Sequence, residues 1–202
     1  MIVQNEHIKN FSGLIFGFII LSFYISLSKF TSEKVHNKSQ KNYLKSPWVT
    51  ENFDWYFLST PEKLEDFVIK KDSYETVCDE YKFKTMSIDN LFISVIYLDF
   101  KDNHYQNWDL RKRAKATINK FLYNLNCKEI EFQKQDDING TEISYTAISK
   151  CNPFNYIAKN KSVRQKDKLL SLTIFYKEND STLDKVSKRV INSLENKYSL
   201  IN

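Results

Sequence analysis

His104, Cys78, Asp99 and Asp102 are the side chains of this sequence whose types could supply a nucleophile, a base and an orienting carboxylate. Such chemistry needs a base within hydrogen-bond reach of the nucleophile and a third group that holds the base in place. No local motif joins these four residues. His7 and His36 fall in stretches that do not read as folded, and His104 falls in a loop, where a solvated ring is the ordinary outcome. A small membrane-surface, hydrolase-like enzyme using a pocket around His104 is therefore the alternative reading, and a membrane-tethered, non-enzymatic binding or assembly module that holds a protein partner or a small apolar ligand is the leading one.

The remaining chemistry narrows quickly. Cys78, Cys127 and Cys151 are 49 and 24 positions apart, which matches no zinc clip. Cys127 stands twelve residues before Asn139 and Cys151 eleven after Gly140, so a tight hairpin at Asn139-Gly140 would bring them face to face. They are either free thiols or a disulfide, and oxidation would imply an exported domain. Only 3 of 202 residues are glycine, which removes the phosphate cradles built on glycine. The acidic residues make no calcium loop and no metalloprotease spacing, so neither cofactor nor metal is expected.

The net charge of +5 is unevenly placed. Residues 1–45 carry six Lys against Glu6 and Glu33, and the 24 basic and 23 acidic residues that follow nearly cancel. A near-neutral domain lacks the field that phosphate backbones require, so nucleic acid is not an expected partner. Within the domain, however, Arg111, Lys112, Lys115 and Lys120 lie off the apolar stripe of one helix. They form either a solvated face or a candidate surface for a protein partner or anionic lipid.

Phe11 to Leu27 is a run of seventeen residues without a charge, close to the roughly twenty that span a bilayer. It predicts a single-pass transmembrane anchor over 11–30 after a short tail, 1–10. A secretory signal cleaved after Ser28 is the competing possibility. Residues 31–47, TSEKVHNKSQKNYLKSP, read as a Lys-rich linker, and 48–202 as the globular domain. Five Lys soon after the span place the domain in the cytoplasm by the positive-inside rule, whereas export by an N-terminal segment places it outside. Both sides stay open.

Strands are expected at 53–59, 65–71, 74–85 and 90–100, the last apolar on both faces and hence central. In the third, Cys78 falls on the face opposite Val77 and Tyr81. Leu110, Ala114, Ile118, Phe121, Leu122 and Leu125 predict a helix over 107–126, capped by Asn107 or Asp109. Two alternating segments then flank Asn139-Gly140, the pair that favours a two-residue hairpin turn. A strand at 169–177 leads into a last helix with Leu183, Val186, Val190, Leu194 and Tyr198 in its stripe, and Ser181-x-x-Asp184 resembles a capping box. Trp48, Trp55 and Trp108 can serve the core or a binding surface.

This order, with Trp55-Tyr56-Phe57-Leu58-Ser59-Thr60-Pro61 running into a proline turn before Lys63-Leu64, resembles the PsbP-like domain family. The resemblance covers about 145 residues, from Phe53 to Tyr198. It implies an α+β fold in which an antiparallel sheet of about six to seven strands packs with two helices, here preceded by one N-terminal transmembrane helix. It also implies a protein that binds, chaperones or assembles partners. No functional residue carries over from the family, and the span and basic linker depart from it.

Overall fold

A computed structural model describes residues 43–67, 78–101, 109–124, 127–138, 141–151 and 154–196. The expected anchor, His104, Trp108, Asn139-Gly140 and Tyr198 lie outside the described residues.

Seven antiparallel strands form the main sheet: β3 (Glu65–Asp66), β4 (Cys78–Ile88), β5 (Leu91–Phe100), β6 (Glu129–Ile138), β7 (Glu142–Lys150), β8 (Tyr156–Gln165) and β9 (Lys168–Lys177). Their spatial order is β3-β4-β5-β9-β8-β7-β6, and a smaller sheet combines β1 (Val49–Phe53), β2 (Tyr56–Thr60) and β10 (Glu195–Asn196) in the order β1-β2-β10. Helix α1 (Leu110–Asn124) lies on one face of the main sheet, and α2 (Ser181–Asn192) with the small sheet lies on the other.

This layering follows from the alternation of β5 and β9. Phe92, Ile96, Leu98 and Phe100 of β5 join Leu169 and Phe175 of β9 beneath Leu110, Ala114, Ile118, Phe121 and Leu122 of α1. The opposite face, with Leu91, Ile93, Val95 and Tyr97 against Leu170, Leu172, Ile174 and Tyr176, meets Leu183, Val186 and Val190 of α2. Each strand is thus buried on both sides, as its two-faced apolar pattern requires.

Several turns are made without glycine. Two residues separate the paired ends at Phe53↔Tyr56, Ile88↔Leu91 and Gln165↔Lys168. The first residue of each turn, Asp54, Asp89 or Lys166, takes a positive φ of 47°, 48° or 51°. Asp tolerates this left-handed region better than most residues, since its short side chain bonds locally. The first of these turns divides the strand expected at 53–59 into β1 and β2.

Three other expectations are corrected. The hairpin of β6 and β7 forms, but its last pair is Ile138↔Glu142, so three residues rather than two close it. A bulge between Phe132 and Lys134 then shifts the register, which sets Cys127 one position beyond the residue opposite Cys151. In β4 the register shifts between Cys78 and Glu80, so Asp79 is extra and Cys78 turns to the same core as Tyr81 and Phe83, not the opposite face. Helix α2 is capped by Asp180, whose carboxylate accepts from the Thr182 and Leu183 amides, and not by Ser181.

Strand β8 was not anticipated, because its inward residues are Ala158, Asn160 and Ser162, which carry little apolar signal. These polar side chains are almost fully buried on the α1 side with Thr173, and they satisfy one another and Ser171. Asn160 Nδ2 donates to Thr173 Oγ1 at 2.9 Å and to Ser171 Oγ at 3.1 Å, while Ser162 Oγ donates to Asn160 Oδ1 at 2.8 Å. Replacing Asn160 by Ala removes three of these bonds, leaving Ser162 and Ser171 to each other at 2.8 Å and the buried Thr173 hydroxyl without its Asn160 donor, and should cost about 1 to 3 kcal/mol. The check is the urea midpoint: an unchanged midpoint would mean that the network contributes nothing.

Candidate functional site

The basic face of α1 was the expected surface, and its residues are used unequally. Arg111 and Lys112 are exposed in the first turn. Asp109 caps the helix by accepting from the Lys112 amide at 3.0 Å, and its other carboxylate oxygen lies 3.8 Å from Lys112 Nζ. Lys115 instead turns along the sheet, its ammonium 5.4 Å from the Phe132 ring centre and 5.3 Å from that of Tyr145. Such contacts hold a cation by the negative ring face, so Lys115 belongs partly to the core. Lys120 lies on the same helix, but its side chain is outside the described ones.

Tyr123 is the side chain that the sequence reading passed over. It is 72% exposed, the most exposed large hydrophobic residue among those described. Lys112, Asn119 and Tyr123 fall at helical spacings of seven and four, so they share the outer stripe of α1. Their angular position, opposite Ala114, Ile118 and Phe121, was the signal available in the sequence.

Elsewhere the ionisable groups are spent between layers. Asp184 of α2 accepts from Lys159 Nζ of β8 at 2.8 Å and from the Tyr176 hydroxyl of β9 at 2.7 Å, and it pairs with Lys188 at 2.7 Å. Burial alone would raise the Asp184 pKa. Hydrogen bonds from Lys159, Lys188 and Tyr176 override it and hold the carboxyl far below its ordinary range. Burial and the bond to Asp184 push the Tyr176 hydroxyl upward. Lys159 also donates to Ser187 Oγ, which is fully buried.

A second cluster ties the small sheet to the large one. Lys168 Nζ lies 2.6 Å from Asp99 and 2.9 Å from Asp54 in the β1–β2 turn. Burial opposes its charge, but the bonds to both carboxylates raise its pKa above the ordinary lysine range. Glu51 makes a third joint. It accepts from the Leu64 amide at 3.0 Å and pairs with Lys84 at 3.3 Å.

These positions decide part of the enzyme reading. Cys78 is 3% exposed in the α1-side core, and burial, with Asp99 and Asp79 nearby, pushes its thiol up to about 12. Asp99 points to the other face of the sheet, where it holds Lys168. Cys78 and Asp99 therefore do not converge on one site. Among the described residues no group of three or more His, Cys, Asp or Glu could hold a metal ion.

Cys127 and Cys151 are joined by a disulfide. The Cys127 amide donates to Leu122 O at 3.0 Å, so the bond staples the end of α1 to the end of β7. Trp48 and Trp55 pack, partly buried, against the α2-side core. Residues 43–47 of the expected linker also lie against the domain. Tyr43 is buried and its hydroxyl donates to Asp89 at 3.2 Å, while Arg189 of α2 donates to Leu44 O and stacks 4.0 Å above the Trp48 ring.

No protein-family model matches the sequence, and no curated protein matches it. Among solved structures the chain is similar to the Ran-binding protein Mog1p of Saccharomyces cerevisiae, at 10% identity and a TM-score of 0.44 over 75% of this chain and 96% of that one. It is also similar to the cyanobacterial PsbP (CyanoP) of Synechocystis, at 16% identity and a TM-score of 0.44 over 74% of this chain and 91% of that one. At such identities no residue correspondence follows.

Replacing Asp184 by Asn leaves Lys159 charged and 11% exposed without its carboxylate. The expected cost at neutral pH is roughly 2 to 4 kcal/mol, somewhat under that of breaking a wholly buried pair, because a third of Asp184 is exposed. A depressed folded pKa contributes stability that is complete above the unfolded value, near 3.9, and is lost as pH falls through the folded one. Denaturation of both proteins between about pH 7 and pH 2 should show the gap narrowing below about pH 4. A gap that stays constant to the lowest pH would exclude Asp184 ionisation as its source.

Proposed function

We propose that this chain is a membrane-tethered, non-enzymatic binding module whose folded domain stands on the extracytoplasmic side and holds a protein partner. The observation that carries the reading is how the ionisable groups are used. A general acid or base works best with a pKa near the operating pH and within reach of a substrate. Here burial and pairing drive Asp184 down and Cys78, Tyr176 and Lys168 up, all away from neutrality, and the groups face into joints between layers. They hold the fold and leave the outer surfaces to do the binding.

The tether is supported by the uncharged run from Phe11 to Leu27 and the polar stretch after it. The side is supported by the Cys127–Cys151 bond, since disulfides persist in oxidising compartments and are rare where glutathione keeps thiols reduced. The Lys residues that follow the span argue for the opposite side. They weigh less, because Lys is frequent throughout the sequence, at 26 residues against 4 Arg.

Alkylation of acid-quenched, denatured cells expressing the full chain tests the side. One thiol, Cys78, should react before reduction and three after it. Three reactive thiols without reductant would place the domain in a reducing compartment, and release of the chain from membranes by alkaline carbonate would remove the tether.

A further inference from the structure

The two ends of the domain are not alike. One is formed by the β4–β5 turn at Asp89, the β7–β8 connection, the passage from β9 into α2 and the close of α1. The other carries the β1–β2 and β8–β9 turns. Among the described residues large hydrophobic side chains are exposed at Val49, Tyr123 and Phe154, and the last two belong to the first end. Tyr123 stands in the last turn of α1, four residues before Cys127, and Phe154 three residues after Cys151, so the disulfide gathers both stretches at one place. Phe154 is 45% exposed even with the Lys177 ammonium 3.3 Å from its ring centre. Rings left in water forgo the burial that aromatic side chains otherwise gain.

What covers these rings follows from where the chain enters. Tyr43, whose hydroxyl donates to Asp89, sits at the same end. Strands lie about 4.8 Å apart, so the β4–β5 and β7–β8 connections, three spacings apart in the sheet order, are about 14 Å from each other. Residues 31–42 separate Tyr43 from the expected anchor at 11–30, and a stretch of that length reaches at most about 40 Å. A ten-residue strand such as β5 is itself about 33 Å long. Turning the domain over would need that stretch drawn almost straight, whereas the end with Tyr123 and Phe154 meets the bilayer with chain to spare. The acids at this end are engaged within the fold: Asp89 accepts from Tyr43, Glu178 from Asn155, Asp180 caps α2, and Glu129 pairs with Lys150. Aromatic contact with a lipid surface of no net charge is what this end offers.

We propose that this end of the domain rests on the bilayer that holds its own anchor, with Phe154 and Tyr123 buried at the headgroup boundary. This rests on the tethered reading above and adds the orientation in which the tethered domain stands. Aromatic side chains favour that boundary, where the ring leaves water. The tether keeps the surface at high local concentration, so a contact of two rings is enough to align the domain. The opposite end, with the turns at Asp54 and Lys166, is thereby held outward for a partner.

The full chain in phosphatidylcholine nanodiscs that carry a rhodamine-headgroup lipid tests this, by energy transfer from a dye on one introduced cysteine. Cys78 is buried and the other two cysteines are paired, so the dye goes to the introduced thiol. Placed by Asn90→Cys in the β4–β5 turn, it should transfer at least about twice as efficiently as when placed by Lys166→Cys at the opposite end, about 33 Å away. Replacing Tyr123 and Phe154 together by Ser should bring that ratio down by about half, to what the tether alone imposes. Between about 50 and 300 mM salt the ratio should change by less than about a fifth, because apolar contact is not screened. Unchanged thermal melts by circular dichroism establish that each variant is folded, and Tyr123→Ser alone, on the more exposed ring, serves should the double variant melt early.

Equal transfer from the two positions would overturn the proposal. A ratio that the Ser substitutions leave unchanged would overturn it too, because the tether and not the rings would then set the orientation. So would a ratio that collapses in salt, since charge would then hold the domain to the lipid. Failure of the tethered reading appears separately, as a chain that stays out of the nanodiscs, and the proposed contact falls with it.

Discussion

Burial of β5 and β9 on both faces is the constraint from which the rest of this fold descends. Strands with apolar residues on either side must be covered twice, so a helix on each face follows. The same property removes the usual signal for register, since a slip by one residue exchanges one set of apolar side chains for another. The polar residues restore it. Asn160, Ser162, Ser171 and Thr173 sit on the α1 side and bond to one another. A slip of β8 against β9 would part them and leave buried donors unsatisfied, at a cost that apolar packing would not return.

Charge is allotted by a similar logic. Asp184, Lys168 and Glu51 each bridge elements that hydrophobic contact alone would allow to slide, because apolar attraction is not directional. Ser193 adds a neutral joint: its hydroxyl accepts from the Ser59 amide at 2.9 Å, which pins the end of α2 to β2. The inner face of α2 is therefore fixed by polar bonds as well as by its apolar stripe. Helix α1 is held by its stripe, its Asp109 cap, the Lys115 contacts with two rings and the disulfide beyond its end.

The disulfide and the entry of the chain lie in different layers, and this separates their roles. Cys127–Cys151 closes α1 onto the β6–β7 hairpin, and linking residues 24 apart restricts the unfolded chain by about 3.5 kcal/mol on the loop-entropy account. Tyr43, Leu44 and Trp48 are instead clasped by Arg189 and Asp89 on the α2 side. Strand β6, the outer edge beside α1, carries exposed Glu129, Glu131 and Asp136, which discourage unspecific pairing along that edge.

The sequence by itself determined the α+β class, the central place of β5, both helices with most of their buried stripes, and the hairpin pairing of β6 with β7, because each rests on local periodicity or turn chemistry. Only the tertiary structure decided which core Cys78 enters, since one extra residue at Asp79 reverses a face. Nor could local pattern reveal β8, whose inward Asn and Ser become core residues only when β9 supplies their partners. The pairing of Cys127 with Cys151 was open in the sequence, as was the turning of Lys115 toward Phe132 and Tyr145. Such contacts join residues distant along the chain, and their energies exist only once the sheet has brought those residues together.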